Sequence, residues 1–174
     1  MKILNNFFKL ILIILLISCS KNDKVSIVKE KNIETQMIEA FKEGYIELEN
    51  GDVLFAAKKF NEAELLYPQS VWAPKAALMA AYAYYSQDYY FDAEYELKRF
   101  IKVYPNEKNI SYAHYLLGMV YYEKIVDEKK DLEPLILAEE KFKFIVKNYP
   151  DTDFALDSTY KLDLIQDYIA SKEM

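Results

Sequence analysis

From Ile33 onward the apolar positions of this chain recur at helical spacing. Met37, Ile38, Phe41, Tyr45 and Leu48 fall on one helical face. Asn50-Gly51 ends that helix, because glycine readily takes the left-handed cap conformation. Asp52 is placed to cap a second helix predicted to run to about Leu66. Pro74 stands near the start of a third helix, where its missing N–H costs nothing. That helix is predicted to end near Gln87, and Asp88 to Val103 forms its partner. Ile110 to about Val126 opens a third pair, Asp127 to Glu133 is a charged loop, and Pro134 opens the second helix of the pair. Thr152 or Asp153 caps a last helix reaching Ala170.

Three of these segments close on the same dipeptide: Tyr67-Pro68, Tyr104-Pro105 and Tyr149-Pro150, separated by 37 and then 45 residues. Proline cannot continue a helix and pushes the preceding residue out of helical conformation, so each Tyr-Pro marks where one hairpin stops. Recurrence at this length predicts stacked two-helix repeats. No run of β-branched residues alternates with polar ones after the amino-terminal stretch, and only 3 glycines are present. The expected fold is all-α, a helical-hairpin solenoid of about three and a half repeats at 33–70, 71–107, 108–151 and 152–170.

The first eighteen residues read differently. Lys2 and Lys9 precede the apolar run Leu10 to Ile17, which is too short to cross a bilayer, where about 20 residues are needed. It fits the hydrophobic region of a secretory signal. Leu16-Ile17-Ser18-Cys19 resembles a bacterial lipobox. That resemblance implies cleavage before Cys19 and lipid on Cys19, which is also the only cysteine and so can form no internal disulfide. Several acyl chains on one residue give stable anchoring, whereas one chain is marginal. Ser20, rather than Asp, after the cysteine implies sorting to the outer membrane. Residues 19–32 are polar and charged and read as a tether between lipid and domain.

Charge narrows the function. The net charge is −6, and losing Lys2 and Lys9 with the signal takes it to about −8. An acidic chain with one arginine, Arg99, is a poor match for nucleic acid.

The hairpins carry tetratricopeptide spacing. Gly44, Ala56, Phe60, Ala63 and Pro68 fall at the small, small, aromatic, small and proline positions of the first. Ala81, Tyr84, Ala93, Leu97 and Pro105 match in the second, where Phe100 replaces the second small residue. Gly118, Tyr121, Ala138, Phe142 and Pro150 match in the third. Small residues let paired helices cross closely, and the aromatic fills the gap between them.

Together the lipobox, the tether and the Tyr-Pro hairpins resemble the BamD family, lipoproteins of the outer-membrane β-barrel assembly machinery. Ala81-Tyr82-Ala83-Tyr84-Tyr85 is similar to that family's aromatic second-repeat helix. Leu97-Lys98-Arg99-Phe100-Ile101, followed by Tyr104-Pro105 and Asn109, resembles its RFI…P…N segment. The enlarged third-repeat loop is also typical, and Tyr149 to Met174 resembles the start of the fourth repeat in alphaproteobacterial members. The resemblance implies a non-enzymatic scaffold at the periplasmic face of the outer membrane. Its implied partners are BamA, the other assembly subunits and unfolded outer-membrane β-barrel proteins. The later repeats that dock on BamA in the family are missing here, and the last helix is apolar on more than one face. The chain therefore reads as a fragment or as a shortened relative, and the apolar last helix favours the fragment or a partner that covers it. The alternative is another tetratricopeptide lipoprotein, a pilotin or adaptor for secretins or cell-wall hydrolases, with the same fold and anchor.

In such a fold the first helix of each pair lines a groove. The positions expected to face it are Ile38, Phe41, Tyr45 and Leu48 in the first repeat. In the second they are Lys75, Leu78, Tyr82, Tyr85 and Ser86, and in the third Tyr112, Tyr115, Met119 and Tyr122. Tyrosine offers a large apolar face, one hydrogen-bonding tip and little entropy to lose, which suits an extended peptide carrying aromatic side chains. Core packing between neighbouring helices is the competing role for each tyrosine. His114, the only histidine, falls at a helix-packing position and is expected to be a satisfied structural residue. No metal set, nucleophile–base arrangement or glycine-rich phosphate loop is visible. Glu139 and Glu140, like Asp151 and Asp153, read as solvated charge, and no cofactor is expected beyond the lipid on Cys19.

Overall fold

The computed structural model describes residues 32–124 and 133–173; the signal segment, Cys19, most of the tether and the loop at 127–131 lie outside them. Among the described residues there are seven α-helices and no strand: α1 Ile33–Asn50, α2 Val53–Leu66, α3 Ala73–Tyr85, α4 Tyr90–Val103, α5 Ile110–Lys124, α6 Glu133–Asn148 and α7 Asp153–Glu173. The helices pair as the tetratricopeptide spacing predicts. Each packs on its chain neighbours, and α3 and α5, then α5 and α7, also meet directly. The first helices thus form one layer and the second helices the other.

The ends of the helices have local causes. Asn32, which the sequence places in the tether, is the N-cap of α1 and accepts from the Glu34 N–H. Gly51 takes φ 84° at the end of α1, a conformation that costs glycine little. Asp52 Oδ1 accepts from the Phe55 N–H at 3.0 Å and starts α2. Thr152, rather than Asp153, caps α7, its Oγ1 accepting from the Ala155 N–H. One expectation shifts. Asp88 does not open α4; it sits at φ 64° and accepts from the Tyr90 hydroxyl at 2.7 Å, so the helix begins at Tyr90. The preceding helix correspondingly stops at Tyr85.

The first and third hairpins close on an aromatic plug; in the second that position holds the buried Leu97, and Phe100 stands at the second small position. Phe60, Phe100 and Phe142 are fully buried. A Cβ placed on Gly44 would lie 2.9 Å from Phe60 Cδ1, and one on Gly118 would lie 2.9 Å from Phe142 Cε1. Only glycine lets α1 and α5 approach their partners this closely. In the second repeat Ala81 takes the small position, and Phe100 packs against Tyr104 at a centroid distance of 5.4 Å. The second and third repeats share one core with α7, through Leu97, Leu117, Ile145 and Ile165.

Candidate functional site

A cavity of about 540 Å³ opens on the first-helix layer. Phe41 and Tyr45, one turn apart, reach it from α1. Lys75, Leu78, Met79 and Tyr82 come from α3. Lys108 and Asn109 precede α5, and Tyr112 lies in its first turn. The floor is aromatic: the Phe41 ring meets Phe60 edge-on at 5.3 Å and Trp72 at 5.4 Å. Trp72 in turn carries the Lys75 ammonium 4.3 Å above its ring. The mouth is accessible, with Tyr45 48% and Tyr82 38% exposed. Phenols from two repeats gather along one side. Burial, with Tyr82 and Tyr85 nearby, pushes the Tyr112 hydroxyl up to about 12. Burial likewise raises Tyr85. These hydroxyls remain protonated at neutral pH and can donate to a carbonyl oxygen.

Three of the expected positions, Tyr115, Met119 and Tyr122, lie further along the same layer, and two of them meet α7. The Tyr115 hydroxyl donates to Asp157 at 2.7 Å, and its ring stacks on Phe154 at 5.2 Å. Tyr122 meets Phe142 edge-on, with the Lys161 ammonium 4.7 Å from its ring. Met119 is buried in the core. The structure therefore brings Phe41, Tyr45 and Tyr82 to one cavity with Lys75, Leu78 and Tyr112, sets Tyr85 beside it, turns Tyr115 and Tyr122 to α7, and buries Met119 in the core. Ile38 is exposed on α1, Leu48 packs beneath α2, and the Ser86 hydroxyl donates to the Ala83 carbonyl at the end of α3.

His114 departs from expectation. It is buried, its ring packs on Phe144 at 4.5 Å, and its Nδ1 has no hydrogen-bond partner. Burial, then the charge of Lys141, lowers its pKa to about 4. Aromatic packing on Phe144 and Tyr149, with no hydrogen bond to Nδ1, surrounds the ring. Glu139 pairs with Lys143 at 2.7 Å, while Glu140, Asp151 and Asp153 are exposed. Among the described residues no group of three or more His, Cys, Asp or Glu is placed to hold a metal ion.

Sequence reasoning missed a polar cluster on the other layer, where Arg99 meets Glu64 and Glu96. Its one legible sign was Glu64, a carboxylate directly beside the packing residue Ala63.

The profile of the YfiO family, described as outer membrane lipoprotein, matches residues 33–174. The chain belongs to this family. YfiO relatives carry the name outer membrane protein assembly factor BamD. The Caulobacter vibrioides protein is 35% identical over 127 residues, 73% of this chain and 42% of its own. That of Rickettsia prowazekii is 34% identical over 134 residues, 77% of this chain and 53% of its own. That of Neisseria gonorrhoeae is 28% identical over 144 residues. The chain spans about half the length of the curated relatives it matches. The YfiO match covers all seven helices, so the aromatic cavity and α7 both lie within the family's region.

Proposed function

We propose that the chain is a non-enzymatic scaffold for outer-membrane protein assembly. It is held at the periplasmic face of the outer membrane by lipid on Cys19, and it binds unfolded barrel proteins in its groove. The observation that carries this reading is the aromatic cavity of about 540 Å³ built from α1, α3 and the start of α5. Rigid aromatic walls take apolar side chains of many shapes, and free phenol tips serve an extended backbone. The names of the relatives support the process, and the partners we propose for this chain are BamA and the other subunits of that machinery. Anchoring raises the local concentration of the groove at the membrane where clients arrive, so the mechanism is positioning, with no bond made or broken.

The test is binding of a fluorescent peptide copied from a barrel strand that ends in an aromatic residue, read by anisotropy. Phe41→Ala and Tyr82→Ala should each weaken binding about tenfold, equivalent to about 1.4 kcal/mol. Unchanged affinity in both would remove the groove from the mechanism. Affinity purification of the tagged full gene product from detergent-solubilised outer membranes should recover BamA, and Cys19→Ala should abolish that recovery. Recovery of a secretin or a cell-wall hydrolase without BamA would instead assign the chain to another pathway.

A further inference from the structure

Arg99 of α4 joins two repeats through a fixed geometry. Its Nη1 and Nη2 donate to Glu64 Oε1 and Oε2 of α2 at 2.8 and 2.6 Å. Its Nε donates to Glu96 Oε2 at 2.8 Å. The Tyr104 hydroxyl donates to Glu64 Oε1 at 2.7 Å, and Asn61 Nδ2 donates to Glu96 Oε1 at 3.1 Å. Both carboxylates are buried, so neither can be satisfied by water alone. Two parallel bonds between planar groups fix an angle as well as a distance. The next seam is different. There Glu94 of α4 accepts from Lys124 and Tyr121 of α5, at 2.6 and 3.2 Å, and an ammonium is a point charge that fixes no angle.

α2 and α4 are the second helices of neighbouring repeats. The aromatic cavity lies on the opposite layer, between α1, α3 and the start of α5. In a two-layer array, the angle between repeats set on one layer determines the spacing on the other. We propose that Arg99 is a positioning residue: its fork on Glu64 sets the angle between the first and second repeats, and thereby the width of the groove. The functional half of this proposal rests on the groove reading above; the geometric half does not.

The test uses the full chain carrying Cys19→Ser, with spin labels at Lys42→Cys on α1 and Asp163→Cys on α7, both exposed positions. A rotation at the first seam is then read with a long lever by dipolar distance measurement. Arg99→Lys keeps the charge and loses the fork. It should broaden the distance distribution and shift its mean while far-ultraviolet helicity is retained, and it should weaken peptide binding. Tyr104→Phe removes one bond of the cluster and keeps the ring on Phe100; it should move the distribution in the same direction by less. If Arg99→Lys fails to fold, Tyr104→Phe decides alone. Distributions identical to the parent would overturn the geometric claim. A changed distribution with unchanged peptide affinity would overturn the link to the groove. A parent chain that binds no peptide would fail the groove reading while leaving the distance result to decide the angle.

Discussion

Gly44 and Gly118 show how far single residues constrain this fold. Each sits where a Cβ would press on a buried phenylalanine ring at 2.9 Å. Gly44→Ala should therefore cost about 1–3 kcal/mol, because the fully buried Phe60 ring must shift to admit the methyl group. A lower urea midpoint at unchanged slope would show it. His114 sets a pH dependence. Its folded pKa, about 4, lies below its ordinary value, so between pH 6.5 and 4 the unfolded chain takes up a proton that the folded chain refuses. The contribution is full above pH 6.5 and is lost as pH falls through that window. Parent and His114→Phe unfolding free energies, compared at pH 7 and pH 4.5, should differ by a gap that moves in favour of the variant at the lower pH. Glu94 acts separately. Burial opposes its charge, but bonds from Lys124 and Lys98 hold it below the usual carboxylate range. Its contribution is present above the ordinary carboxylate pKa and fades as pH falls through the lower, folded value.

At the scale of the element, caps and breakers decide where helices begin. Asp52→Ala removes the acceptor for the Phe55 N–H and should cost about 1 kcal/mol, read as a lower melting temperature at nearly constant helicity. Thr152→Ala should behave alike at α7. The start of α4 teaches the opposite lesson. The sequence pattern opens that helix at Asp88, yet the Asp88 backbone is left-handed and its carboxylate is engaged by Tyr90. Position in a hairpin turn overrode local preference there. α7 carries its own conflict, with Leu156 76% and Tyr160 61% exposed while Ile165 is buried. Its apolar residues on more than one face were legible from the pattern, and only contacts could say which face docks.

Across the whole molecule, the tyrosines divide by neighbour rather than by type. Tyr82 and Tyr112 line the cavity, whereas Tyr115 is bonded to Asp157 of the last helix. Tyr115→Phe should cost about 1.5 kcal/mol, since the lost bond runs to a carboxylate. It should raise hydrogen exchange in α7 and leave peptide affinity at Phe41 and Tyr82 unchanged. An equal loss of peptide affinity would place Tyr115 in the binding surface instead.

Helix number, hairpin pairing and the plugs Phe60 and Phe142 were written in spacing alone. Apolar periodicity, Tyr-Pro punctuation and small–aromatic phasing act within a few turns, and repeats meet mainly their neighbours. The groove was half legible for the same reason: periodicity identifies the face of α1, α3 and α5, but not how much of that face α7 covers. The Arg99 fork was decided by tertiary structure alone. Glu64 beside Ala63 hinted at a buried carboxylate but not at its partner; Glu64 and Arg99 are 35 residues apart, and they meet because stacking brings α2 beside α4. The unpaired Nδ1 of His114 has the same origin, since packing around an imidazole determines whether a partner reaches it.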